Sequence, residues 1–272
     1  MRRAAIALVV AAAATACTAS PAPGSVRPQS EAAVAVTAVG ANLAAGPLGG
    51  YVIVLDPGHD GGNAADPAFI NRPVPNGIGG TKACDTVGTE TAGGYPEHAF
   101  TFDVVKRAAA LMRKDGAHVV LTRTNDTGRG PCVDMRAKIG NRAYGGAAVL
   151  AISVHADGGP VGGRGFHVIE PAFHSGSPVD RVLKPSDRLA HDLIRAVVND
   201  TRTGVSTYVG GGKGLTARID LAGLMLSRVP KVYIEAANMR NPADAALCRS
   251  AAFRQKLAQA LTDAAIRFVH GH

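Results

Sequence analysis

Residues 148–154 read Ala-Val-Leu-Ala-Ile-Ser-Val, an almost unbroken apolar run. A short aliphatic run of this kind, without alternation, is the mark of a strand buried on both faces. A second such run, Tyr-Val-Ile-Val-Leu at 51–55, stops at Asp56-Pro57-Gly58, which is a turn signal. Further strands are expected at 118–122, 165–169 and 231–235. Helical patterns lie between them. Pro96 suits the first helical position, where a missing N–H costs nothing, and Phe100, Val104, Ala108 and Leu111 follow at helical spacing up to Gly116. Other helices are expected over 133–144, 186–198, 220–227 and 242–269. Strands alternating with helices predict one α/β domain with a largely parallel mixed sheet, flanked by helices on both faces. Residues 60–94 are crowded with Gly, Pro, Asn and Thr and show no period. Long loops of that kind are often functional.

The chain opens Met1-Arg2-Arg3 and continues with an apolar run over 4–16. Positive charge, a short apolar stretch and then small residues form the pattern of a secretory signal, and the run is shorter than the roughly 20 residues of a spanning helix. Ala14-Thr15-Ala16-Cys17 is similar to a lipoprotein cleavage site, with a lipid anchor at Cys17, and ordinary cleavage nearby is the competing reading. Residues 17–50, rich in Ala, Pro and Ser, read as a flexible linker, and 51–270 as one folded domain. The formal net charge is +8; removing 1–16 takes away Arg2 and Arg3 and no acid, which leaves +6. A basic exported protein is drawn to anionic polymers such as bacterial walls. Nucleic acid is not expected as a partner, because the chain has no Trp and no dense Lys/Arg cluster.

Cys84, Cys132 and Cys248 lie in the predicted domain without the close spacing of a zinc ribbon or redox motif. An exported chain then calls for one disulfide and one odd thiol. Cys84 and Cys132 sit in Gly- and Pro-rich segments, where a staple offsets poor packing, so they are the expected pair. Cys248 falls in the final helix and is the expected free thiol.

His59 follows the first strand, and His155 and Glu235 stand where the third and last strands leave the core. In parallel sheets the active site lies beyond the carboxyl ends of the strands. Glu97, in the first turn after Pro96, completes a His, Glu, His set. Two imidazoles and a carboxylate leave one tetrahedral position of zinc open, as in a catalytic site. Each residue also has a plainer reading. A strand-end His is often a cap, a Glu in a first helical turn suits the helix dipole, and these separations match no short zinc motif.

Ile53-Val54-Leu55-Asp56-Pro57-Gly58-His59-Asp60-Gly61 resembles the opening of the zinc-dependent N-acetylmuramoyl-L-alanine amidases of bacteria. The resemblance continues through Glu97 and its helix, Val120-Leu121-Thr122-Arg123, Ile152-Ser153-Val154-His155-Ala156-Asp157 and Val232-Tyr233-Ile234-Glu235, in family order. Gly94-Tyr95-Pro96-Glu97-His98 and Asn238-Met239-Arg240-Asn241-Pro242-Ala243-Asp244 look like the mycobacterial and actinobacterial branch. The resemblance implies that His59, Glu97 and His155 hold Zn2+ and that Glu235 is the catalytic glutamate. It implies cleavage of the amide between muramic acid and L-alanine by a zinc-activated water, in peptidoglycan or muramyl-peptide fragments. The N-terminal signal implies export, and a monomer is expected. Glu90 and His98 are rival ligands, because the gap from His59 to Glu97 is longer than in many relatives. Those relatives also carry Gly-Phe where this chain has Ala237-Asn238. The alternatives to the amidase are a zinc peptidase acting within the stem peptide and a non-catalytic wall-binding protein. Arg123, Arg164 and Arg218 are available to hold substrate carboxylates, with none preferred. His118, His167, His174, His191, His270 and His272 need no function.

Overall fold

The structure, a computed structural model, describes residues 46–271. The expected signal, Cys17 and nearly all of the 17–50 linker lie outside the described residues. Strands β1 (Val52–Pro57), β4 (His118–Leu121), β5 (Ala148–Asp157), β6 (His167–Pro171), β7 (Leu215–Arg218) and β8 (Lys231–Asn238) form a six-stranded sheet in the order β4-β1-β5-β8-β6-β7. Pairs β1·β4, β1·β5 and β5·β8 are parallel, whereas β6 runs antiparallel to β8 and carries β7 parallel to itself. The sheet is therefore mostly parallel and mixed, as expected. A separate hairpin joins β2 (Pro73–Pro75) to β3 (Thr81–Ala83), beside the short helix α1 (Pro67–Ile70).

The two-residue period of the strands divides the sheet into unlike faces. Ile53, Leu55, Leu150, Ile152, Val154, Val168, Val232 and Ile234 all point to one side, where they form the main core. That side is covered by α2 (Glu97–Lys114), α4 (Leu183–Thr201) and α7 (Ala251–His270). The alternate positions put Asp56, Ser153, His155, His167, Lys231, Tyr233 and Glu235 on the other side. There α3 (Val133–Arg142) and α5 (Ala222–Met225) give shorter cover. The apolar face stabilises the sheet, at roughly 25 cal/mol per Å² of apolar surface removed from water, and leaves the opposite face free to carry chemistry.

Several expectations need correction. Pro96 is the N-cap of α2, extended at φ −82° and ψ 152°, and Glu97 is the first helical residue. The helix expected over 242–269 is two, α6 (Pro242–Arg249) and α7, because Ser250 leaves the helical region and its hydroxyl caps the Phe253 N–H. Strand β7 lies in a segment with no strand signal, and it is held only by the edge of β6. Strands β5 and β8 run past His155 and Glu235, so these residues sit inside the strands. Residues 60–94 are ordered around α1 and the β2–β3 hairpin.

Cys84 and Cys132 form the expected disulfide, and Cys248 is free and buried. The bond closes a span of 48 residues and ties the segment after β3 to the start of α3. Exchanging both partners for serine is expected to lower stability by about 2–4 kcal/mol, mainly by freeing the unfolded chain. An unchanged midpoint in denaturant unfolding would contradict this. Among the described residues no helix is long and apolar enough to cross a membrane.

Candidate metal centre

Strands β1, β5 and β8 are neighbours, and His155 of β5 is the register partner of Glu235 of β8. Beyond β1 the chain turns at Gly58 and places His59 at φ 56°, a left-handed conformation that non-glycine residues seldom adopt. The turn has no room for a side chain at position 58, since a Cβ there would stand 2.3 Å from the His155 ring. The rings of His59 and His155 meet edge to face at 4.9 Å between centroids.

Both rings converge on Glu97. His59 Nε2 lies 3.2 Å and His155 Nδ1 2.9 Å from the same Oε1 oxygen. One donor atom from each of the three residues lies within 4.8 Å of the others, a spacing that a tetrahedral ion of zinc's size can span. The carboxylate is fixed by backbone: Ala156 N–H donates to Oε1 at 3.1 Å and Thr89 N–H to Oε2 at 2.9 Å. His59 Nδ1 stands 3.0 Å from the Thr86 carbonyl. Donation to that carbonyl puts the proton on Nδ1 and directs the lone pair of Nε2 inward, as a metal ligand requires. Gly88, at φ 86°, closes the wall; a Cβ there would sit 2.8 Å from His59 Cδ2 and 2.9 Å from Glu97 Oε2. The donor set and its cradle therefore fit a divalent zinc ion.

The electrostatics agree. Burial would lower the His59 imidazole, but the Glu97 carboxylate, helped by Asp85, raises it to about 10. Burial would raise Glu97, but His59 and His155 hold it well below the usual carboxylate range. The pocket thus favours a cation beside this carboxylate, whether proton or metal. Glu235 behaves in the opposite way. Burial, with Glu97 and Asp157 nearby, pushes its carboxyl well above the usual range. The two carboxyl groups of the crevice are thus driven apart in proton affinity.

The rivals stand elsewhere. His98 pairs with Asp126 at 2.9 Å and shares a different cavity with Glu90, Asp60 and Arg240. Asn238, at the Ala237-Asn238 departure, donates to the Pro160 and Gly163 carbonyls at 2.7 and 2.8 Å and so ties down the loop after β5. Arg123 is buried and donates to the carbonyls of Pro57, Gly58 and His98, a structural role. Arg164 is exposed and outside the cavity at the triad, whereas Arg218 lines it.

Sequence reasoning missed two supports of the site. The first is residues 85–89, part of a segment read only as an aperiodic insertion. They supply Asp85 and Thr86 to His59, and Gly88 and Thr89 to Glu97. The second is a buried quartet of two acids and two bases beneath His59. Asp56 accepts from Arg136 Nη1 at 2.9 Å and from Lys231 Nζ at 3.0 Å, and Arg136 Nη2 reaches Asp85 at 3.1 Å. Arg136 also donates to the carbonyls of Pro57, His59 and Pro131. The available signal was Asp56 itself, a charge at the end of a run that is otherwise buried. Tyr233 stacks on His155 with 4° between planes and 5.2 Å between centroids, and so fixes the ring from the side of the sheet.

The sequence profile of the Amidase_3 family, described as N-acetylmuramoyl-L-alanine amidase, matches residues 53–267. The N-acetylmuramoyl-L-alanine amidase Rv3717 of Mycobacterium tuberculosis is 44% identical over 215 residues, which cover 79% of this chain and 84% of the relative. The crystal structure of the N-acetylmuramyl-L-alanine amidase Ami1 of Mycobacterium smegmatis superposes with a TM-score of 0.74 at 40% identity, covering 83% of this chain and 99% of the other. The apo form of Ami1 from Mycobacterium abscessus gives 0.69 at 42% identity, over 81% and 99% of the two chains.

Proposed function

The chain belongs to the N-acetylmuramoyl-L-alanine amidase family and acts on peptidoglycan, and on that premise we propose that it cuts the amide between N-acetylmuramic acid and L-alanine with a zinc-activated water. The observation that carries the reading is the convergence of His59 and His155 on one oxygen of Glu97, with Glu235 in the same cavity. Zinc bound by the three would serve as a Lewis acid that activates water and polarises the substrate carbonyl.

The chain's own groups do the rest. His59, with its tautomer set by the Thr86 carbonyl, and His155, held against Tyr233, supply the nitrogen donors. Glu97 supplies the anionic donor, and its backbone hydrogen bonds stop it from swinging into the cavity. Glu235 takes the proton from the attacking water and returns it to the leaving amine of L-alanine, the role of a general base and then a general acid. We infer further that the chain is exported by its N-terminal signal, that Cys17 is the point of any lipid attachment, and that the enzyme works as a monomer at the cell wall.

The test is to digest muramyl peptides with the purified domain and label new amino termini. New L-alanine termini with the stem peptide intact are expected. New termini within the stem would show that the chain is a zinc peptidase, and no new termini would favour the wall-binding reading.

A further inference from the structure

The metal centre occupies only one end of its cavity. The space, about 410 Å³, extends over the ionic face of the sheet past Tyr233 and Ile169 to Lys82 and Arg218. Everything charged at the metal end, apart from its imidazoles and the buried Arg136, is acidic: Asp85, Glu97, Asp157 and Glu235. The far end is basic. Its two cations come from parts of the chain that are distant in sequence, β3 of the 60–94 segment and the last residue of β7.

Asp220 sets both side chains in place. Its carboxylate accepts from Arg218 Nε at 2.8 Å and from Nη2, and its main-chain oxygen accepts from Lys82 Nζ at 2.8 Å. The fork is thus held by one edge, and Nη1 has no partner among the described residues. Two of the three Lys82 N–H donors are likewise unused. A guanidinium fixed on one side and open on the other is a prepared carboxylate receptor. Arg218 and Lys82 set against Asp220 leave this end with one surplus positive charge, which the more distant Glu235 and Asp157 also feel.

The sheet gives the span. Glu235 is the register partner of His167, and Arg218 that of Pro171, four residues further along β6. With strands about 4.8 Å apart and a rise of about 3.3 Å per residue, the two Cα atoms lie roughly 16 Å apart. Both side chains line the same cavity and each feels the other's charge, so their charged ends are closer than their Cα atoms. What remains accommodates about two residues of extended peptide.

We propose that Arg218, assisted by Lys82, is a specificity-determining residue that binds a carboxylate on the peptide side of the cleaved amide, within about two residues of L-alanine. The inference rests on the amidase reading, which fixes which part of the substrate follows the bond. Among Arg123, Arg164 and Arg218, only Arg218 has free donors facing the cavity; the first is consumed by backbone carbonyls and the second lies outside.

The test compares kcat/KM for a muramoyl dipeptide whose second residue carries free carboxylates with that for the same compound fully amidated. The intact chain is expected to prefer the acid by about tenfold, the order of one charge-assisted hydrogen bond to a partly exposed guanidinium. Arg218→Ala should bring the ratio close to unity, chiefly through KM for the acid. Arg218→Lys should retain part of the preference, and Lys82→Met should lower it less than Arg218→Ala does. Because the readout is a ratio within each variant, partial loss of folded enzyme cancels. An intact chain without preference, or a preference unchanged in Arg218→Ala, would overturn the proposal and leave Arg218 as a link between β7 and Asp220. Failure of the intact chain to release L-alanine termini from either compound would instead overturn the amidase reading, and this inference with it.

Discussion

Exchanging Glu235 for glutamine is expected to lower turnover by about 10²–10⁴-fold, the range for loss of a positioned proton-transfer group, while metal content and fold stay as they are. Glutamine keeps the shape of the side chain and one hydrogen-bonding oxygen, so substrate contacts survive. It cannot accept the proton of water or deliver one to the amine. Glu235 is not among the three residues whose donor atoms cluster, so the ligand set is intact in the variant. The effect should fall on kcat rather than KM, because proton transfer matters in the transition state and little in binding. Near-normal turnover in Glu235→Gln would mean that another group moves the proton, with Asp157, on the same cavity wall, the next to test.

Exchanging Arg136 for methionine is expected to lower stability by about 3–5 kcal/mol, the cost of breaking a buried ion pair from one side. Its guanidinium is 3% exposed, and its partners Asp56 and Asp85 are 1% and 5% exposed. The variant leaves Asp56 without its arginine and Asp85 with only His59 beside it, and it takes one donor from each of the carbonyls of Pro57 and His59. Those carbonyls belong to the turn that holds His59 at positive φ, so metal affinity should fall as well. Arg107→Met provides the contrast. Arg107 pairs with Asp103 at the surface, where such pairs are worth roughly 0–1 kcal/mol. Denaturant unfolding of the two variants decides the matter: equal losses would show that the buried network is not what holds the turn.

The parts of the fold most easily read in the sequence were those where local pattern and tertiary burial agree. Residues 51–55 and 148–154 are buried on both faces and therefore look like strands whatever surrounds them. Strand β7 was unreadable for the opposite reason: Leu215–Arg218 is half exposed and exists because the edge of β6 offers it hydrogen bonds. The break at Ser250 was visible in principle as an N-cap residue, but the apolar spacing on either side continues and hides it. For the site, His59, Glu97 and His155 stood out because strand ends and a helix start are where a parallel sheet presents polar groups. Asp85, Thr86, Gly88 and Thr89 did not stand out. They act through backbone atoms and a tight approach, and a segment held by the Cys84–Cys132 bond and its neighbours need show no period. Arg136 gave no signal either, since a lone arginine on a helix reads as a solvated charge until the acid that it meets is known.

The central claim is that His59, Glu97 and His155 together hold one zinc ion. It is tested most directly by the zinc content, per folded chain, of the purified domain and of His155→Ala. The account predicts close to one zinc per chain in the first and almost none in the second; full occupancy in His155→Ala would contradict it.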